Sequence, residues 1–151
     1  VVAGYCSPWL TKKDPTAADI VIGDYKRQWN LDQDGSLWII AENSIEQVGC
    51  IHTCQGLEVD YIGVIIGPDL VVRDGQVVTS PVERDKHDKS IRGWKKMMKE
   101  QPILAKIETD LIIKNTYRTL MTRGMKGCYL YCTDKETAQY FESRLSQQSN
   151  H

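Results

Sequence analysis

The run Val59-Asp60-Tyr61-Ile62-Gly63-Val64-Ile65-Ile66 constrains this chain more than any other stretch. Its apolar residues do not alternate with polar ones, so a strand formed here has to be covered on both faces. Strands of that kind belong to parallel sheets flanked by helices. Immediately after it, Leu70–Arg73 and Gln76–Thr79 flank Asp74-Gly75, a strong two-residue hairpin signal. Further strands are expected at Val1–Cys6, Leu37–Ala41, Val48–Thr53 and Gly127–Cys132.

Ile103–Arg123 carries apolar residues at Leu104, Ile107, Leu111, Ile112, Tyr117, Leu120 and Met121, and Gly124 and Gly127 follow it. That spacing predicts a long helix with a glycine stop. Asp134 is placed to cap a final helix through Leu145. Ser7–Asp34, with Pro8 and Pro15, reads as an irregular insertion holding a brief extended piece at Ala18–Ile22. Strands alternating with helices predict a three-layer α/β domain with a mainly parallel sheet, helices on both faces and a projecting β-hairpin.

A chain of 151 residues fits one domain, 1–151. It opens on Val1-Val2-Ala3-Gly4-Tyr5 with neither an initiator Met nor a basic signal segment, and so reads as a piece of a longer protein. No apolar run approaches the roughly 20 residues of a membrane span. The net charge of −1 leaves any nucleic-acid contact to a local patch. An odd cysteine count, five, without secretory context favours free thiols and a cytoplasmic location. Cys50 and Cys54, then Cys128 and Cys132, form two C-x-x-x-C pairs with His52 nearby. Zinc sites use closer pairs on a turn, so these thiols are expected to be packing residues, with no metal bound.

Two segments could carry chemistry. Cys50-Ile51-His52-Thr53-Cys54-Gln55-Gly56-Leu57-Glu58 brings a hydroxyl, an amide, a glycine and a carboxylate together just before the apolar strand. In open α/β sheets ligands bind beyond the carboxyl ends of strands, yet an ordinary polar turn has the same composition. In Tyr117-Arg118-Thr119-Leu120-Met121-Thr122-Arg123-Gly124, Arg123 falls in the last helical turn, where any cation suits the helix dipole. A third stretch, Glu83–Glu100, has seven Lys or Arg against four Asp or Glu, with Trp94 among them. Basic groups around an aromatic could hold a single strand, but mixed signs favour a solvated helix face.

Taken together and in this order, His52–Asp60 resembles motif V of superfamily 1 helicases, and Leu120–Tyr131 resembles motif VI. The pair looks like the helicase domain of an uncharacterised bacterial family related to Schlafen-type helicases. The resemblance implies a RecA-like C-terminal motor domain, with ATP in a cleft shared with an N-terminal RecA-like domain. It implies Arg123 as the arginine that meets the γ-phosphate and Glu58 as the ribose contact, with Gln55 and Gly56 beside the nucleotide. His52, Thr53 and Thr122 would then face the DNA or RNA strand. ATP and Mg belong to the full-length protein: no G-x-x-x-x-G-K-[ST] occurs in this sequence, so this piece alone is expected to lack ATPase activity. Two other functions remain open. One is a non-catalytic RecA-like interaction module. The other is a hydrolase using Glu42, Glu46, Glu58 and Asp60, for which no metal-binding pattern gathers the carboxylates.

Overall fold

The computed structural model describes residues 1–30, 38–54 and 56–148. The non-alternating run forms β5 (Val59–Ile66), which pairs in parallel with β1 (Val2–Ala3) on one side and β8 (Gly124–Cys132) on the other. A second group joins β2 (Ile20–Ile22), β3 (Tyr25–Trp29) and β4 (Gln47–Val48), with β2 antiparallel to β3 and β3 parallel to β4. A parallel bridge from Gly49 to Val2 links the two groups. The Gly49 N–H donates to Val1 O, and Ala3 N–H donates to Gly49 O, each at 2.9 Å. The protein is thus α/β with a mainly parallel sheet.

Successive residues of a strand point to opposite faces, and the burial follows that rule. Val2, Ile62, Val64 and Ile66 enter a core with Ile113, Tyr117 and Leu120 of α2 (Pro102–Met121). Ala3 and Ile65 enter a separate core with Tyr5, Ile20, Trp29, Val48 and Cys50. Among the described residues the second core contains no helical residue, so the helices expected on both faces are found there on one. There, strand and turn residues with the rings of Tyr5, Trp9 and Trp29 do the covering; the Tyr5 and Trp29 centroids lie 5.4 Å apart. The stretch expected to be irregular therefore contains two strands. Its fold is fixed by the buried Asp19 carboxylate, which accepts from Thr11 N–H at 2.9 Å, Thr11 Oγ1 at 2.7 Å and Trp29 N–H at 2.8 Å.

Further expectations are corrected: the strand expected over Val48–Thr53 ends at Val48, as β4, and the chain then turns. Leu37–Ala41 is not a strand where it is described: Trp38–Ile40 makes a 3-10 turn, and Leu37 lies outside the described residues. The Trp38 ring packs into the first core beside Gly49, whose missing Cβ would come within 2.7 Å of that ring. The hairpin of β6 (Leu70–Arg73) and β7 (Gln76–Thr79) forms in the expected register but does not project. Leu70 and Val72 are buried, Val72 N–H donates to Thr137 Oγ1 at 2.9 Å, and Thr79 Oγ1 donates to Asp110 at 2.8 Å. Those bonds seat it against α2 and the last helix, α3 (Lys135–Gln148). Asp134 caps α3 through Thr137 N–H at 2.9 Å. The charged stretch forms 3-10 turns and α1 (Trp94–Glu100), which packs on α2.

Candidate nucleotide and nucleic-acid site

Gly49 leads into the turn 50–57, closed by Thr53 N–H to Cys50 O at 3.1 Å, Cys54 N–H to Cys50 O at 3.2 Å and Leu57 N–H to Cys54 O at 3.2 Å. Gly56 takes φ +76, a left-handed conformation that a side chain would oppose. Thr53 is half-buried and its hydroxyl is occupied. It lies 2.9 Å from Cys50 O and 3.0 Å from Asn30 Oδ1, and accepts from Cys50 N–H at 3.0 Å. The residue expected to face the nucleic-acid strand therefore ties this turn to Asn30, just beyond the end of β3. His52 and Glu58 are exposed. Gln55 lies outside the described residues.

Arg123 closes α2 and stands against the entry to β5. Its backbone O accepts from Val59 N–H at 3.0 Å, so Glu58 and Arg123 precede neighbouring parallel strands at one sheet edge. The guanidinium is half-buried; Nε donates to Thr119 O at 3.2 Å, and Nη1 reaches Leu57 O at 3.5 Å. Among the described residues no carboxylate forms an ion pair with it. Thr122 is exposed, and its hydroxyl donates to Arg118 O at 2.9 Å, as the cap of the helix. Beyond Arg123 the β5–β8 register slips between Val59/Gly124 and Tyr61/Gly127, a bulge that leaves Met125 exposed. Gly124 permits it, because the Gly127 carbonyl oxygen lies where a Cβ would go.

The structure thus brings Glu58 and Arg123 to one edge and anchors Thr53 at the opposite ends of β3 and β4. The cysteines divide between environments: Cys54 in the first core, Cys50 in the second, and Cys128 exposed. Cys128 is thus not the packing residue its strand position suggested. Burial pushes the Cys54 thiol up to about 12 and the Cys132 thiol up to about 11.

A second polar constellation is not legible in the sequence. Asp69, fully buried, binds the Tyr117 hydroxyl through Oδ1 and Arg84 Nε through Oδ2, the latter at 2.6 Å. Tyr117 also accepts from Gly67 N–H at 2.9 Å, and Arg84 Nη1 donates to Asp88 at 2.6 Å. Burial first, and Asp69 second, hold the Tyr117 hydroxyl well above its ordinary range. Gly4 makes room, since a Cβ there would collide with the Tyr117 hydroxyl. The only sequence signal is a carboxylate directly after an apolar strand, in Gly67-Pro68-Asp69.

Residues 1–134 match the family described as Schlafen group 3, DNA/RNA helicase domain. The chain belongs to that family. A curated relative, the uncharacterised protein YPL245W of Saccharomyces cerevisiae, is 27% identical over 115 residues. The match covers 75% of this chain and 24% of the yeast protein, so the chain corresponds to about a quarter of that relative's length. No solved structure matches at a significant level. The Schlafen-family assignment makes the protein helicase-related and covers both the 50–58 turn and the Arg123 turn. Among the described residues, no helix is long and apolar enough to cross a membrane.

Proposed function

We propose that this Schlafen-family helicase domain is the second motor domain, with the RecA-like three-layer fold, of a nucleic-acid-dependent ATPase. The observation that carries this reading is the placement of Arg123 beside Glu58 at one sheet edge, with a guanidinium bound, among the described residues, only to backbone carbonyls. An arginine not neutralised by a carboxylate keeps its charge for a ligand. The N-terminal RecA-like domain of the full-length protein supplies the phosphate loop and brings ATP with Mg against this edge. Arg123 then swings onto the γ-phosphate and stabilises the charge that develops there, while Glu58 receives the ribose. His52, at the exposed crest of the turn, meets the DNA or RNA strand. Thr53 acts through the bond to Asn30, holding the turn in the shape that links strand and nucleotide.

The test is Arg123→Ala in the full-length protein, read as nucleic-acid-stimulated ATP turnover and melting temperature on the same preparation. Turnover is expected to fall on the order of a thousandfold, with Arg123→Lys restoring little because a point charge does not reproduce the planar fork. A helix-end cation alone is worth about 0.3–1 kcal/mol of stability. Near-normal turnover with slightly earlier melting assigns Arg123 that structural role and ends the motor reading of this residue.

A further inference from the structure

The charged stretch around Trp94 is not the uniformly solvated face its mixed signs suggested. It lines a half-open cavity of about 490 Å³ whose walls include Arg84, Lys86, Lys89, Arg92, Trp94 and Lys95. The two carboxylates that also line it are engaged: Asp88 pairs with Arg84 at 2.6 Å and Asp85 with His87 at 2.8 Å. Lys86, Lys89 and Arg92 are exposed, and none forms an ion pair among the described residues. Set against Asp85 and Asp88, the lining Arg84, Lys86, Lys89, Arg92 and Lys95 leave the cavity with an excess of positive charge.

The wall is built, not merely decorated. The Arg84 side chain is fully buried and clamped by Asp69 and Asp88, yet its Nη2 has no hydrogen-bond partner among the described residues. Gly93, at φ +87, turns the backbone between Arg92 and Trp94, so that cation and ring share the cavity. Trp94 is half-buried, with the Lys95 ammonium 5.8 Å from its ring centroid. Cations around an aromatic are what a single strand needs: salt-sensitive backbone contacts and a ring on which a base can stack.

We propose that this cavity is a docking site for single-stranded nucleic acid, with phosphates on Lys86, Lys89 and Arg92 and one base stacked on Trp94. It deepens the proposed function by adding a strand contact outside the 50–58 turn and the Arg123 turn. The test measures anisotropy of labelled oligothymidylate and oligouridylate with this chain across a salt series. The triple variant Lys86→Ala/Lys89→Ala/Arg92→Ala is expected to lose at least about tenfold in affinity and to flatten the log–log salt slope by about 2, near 0.7 for each phosphate no longer neutralised. Trp94→Leu is expected to weaken binding about fivefold or more at every salt concentration. A control removing the same charge elsewhere, Lys13→Ala/Lys106→Ala/Lys135→Ala, keeps affinity within a factor of about two; equal loss in the control means general charge attraction and overturns the site. An unchanged slope in the cavity variant overturns it too, as does absence of strand binding at low salt. A strand that binds no tighter than inorganic phosphate or a mononucleotide makes free phosphate the ligand and likewise overturns the proposal. Failure of the motor reading shows separately, as normal ATP turnover by Arg123→Ala in the full-length protein.

Discussion

The Asp69 hub and the edge carrying Glu58 and Arg123 are both polar, yet they are built in opposite ways. At the hub a guanidinium and a phenol are removed from water and bound by one buried carboxylate, with Asp88 as the fourth member. At the edge the side chains are exposed or half-buried, and the bonds of Thr122 and Arg123 run to backbone carbonyls of α2 and of Leu57. Charges taken out of water need each other, because an isolated buried charge costs several kcal/mol. Charges left in water can wait for a ligand at little cost. The hub thus fixes how α2, the 67–69 turn and the 81–90 segment meet, while the edge stays available. Tyr117 belongs to the hub and Arg123 ends the same helix, so the rigid region aims the exposed one.

The contrast breaks most visibly at Asp69. Asp69→Ala leaves Arg84 buried with one carboxylate partner fewer and Tyr117 without its acceptor. The expected loss is about 3–5 kcal/mol of unfolding free energy by urea titration; a loss below about 1 kcal/mol would show that water replaces the hub and that it organises nothing.

A smaller, pH-dependent effect separates a surface clamp from either region. Asp134 is held well below the usual carboxylate range by hydrogen bonds from Arg73, then by Thr137. A depressed folded pKa means that the stabilisation is complete above the unfolded value of about 4 and is lost as pH falls toward the folded one. The melting-temperature gap between wild type and Asp134→Asn should therefore be widest at neutral pH and should narrow below about pH 4. A gap constant with pH would remove the ionic contribution.

The smallest effect is expected at the edge itself. Glu58→Gln should change stability by less than about 0.5 kcal/mol, as exposed substitutions do. A thermal shift well beyond that range would make the edge structural after all, and the comparison with the hub would collapse.

Sequence alone determined the elements whose signals are local. The apolar run gave β5 its bounds, Asp74-Gly75 set the hairpin register, and Asp134 caps the helix that follows it. These hold because a turn, a cap or a doubly covered strand is decided by residues a few positions apart. Both candidate turns were legible for the same reason, and the meeting of Glu58 with Arg123 at one edge follows from the parallel order of β5 and β8.

Tertiary structure decided the rest. Trp38 has the neighbours of a strand residue, but its ring packs beside Gly49 and the segment turns instead. Tyr25–Trp29 reads as irregular because the carboxylate that orders it, Asp19, is ten residues away from Trp29. Thr53 has the chemistry of a ligand contact, yet Asn30, 23 residues earlier, takes its hydroxyl. Arg84 sits in a segment that reads as solvated, yet Asp69 draws it fully inside, and Tyr117 arrives from 48 residues further on. Periodicity and turn chemistry act over a few residues, whereas the partner of a buried charge is chosen by the packing of distant elements.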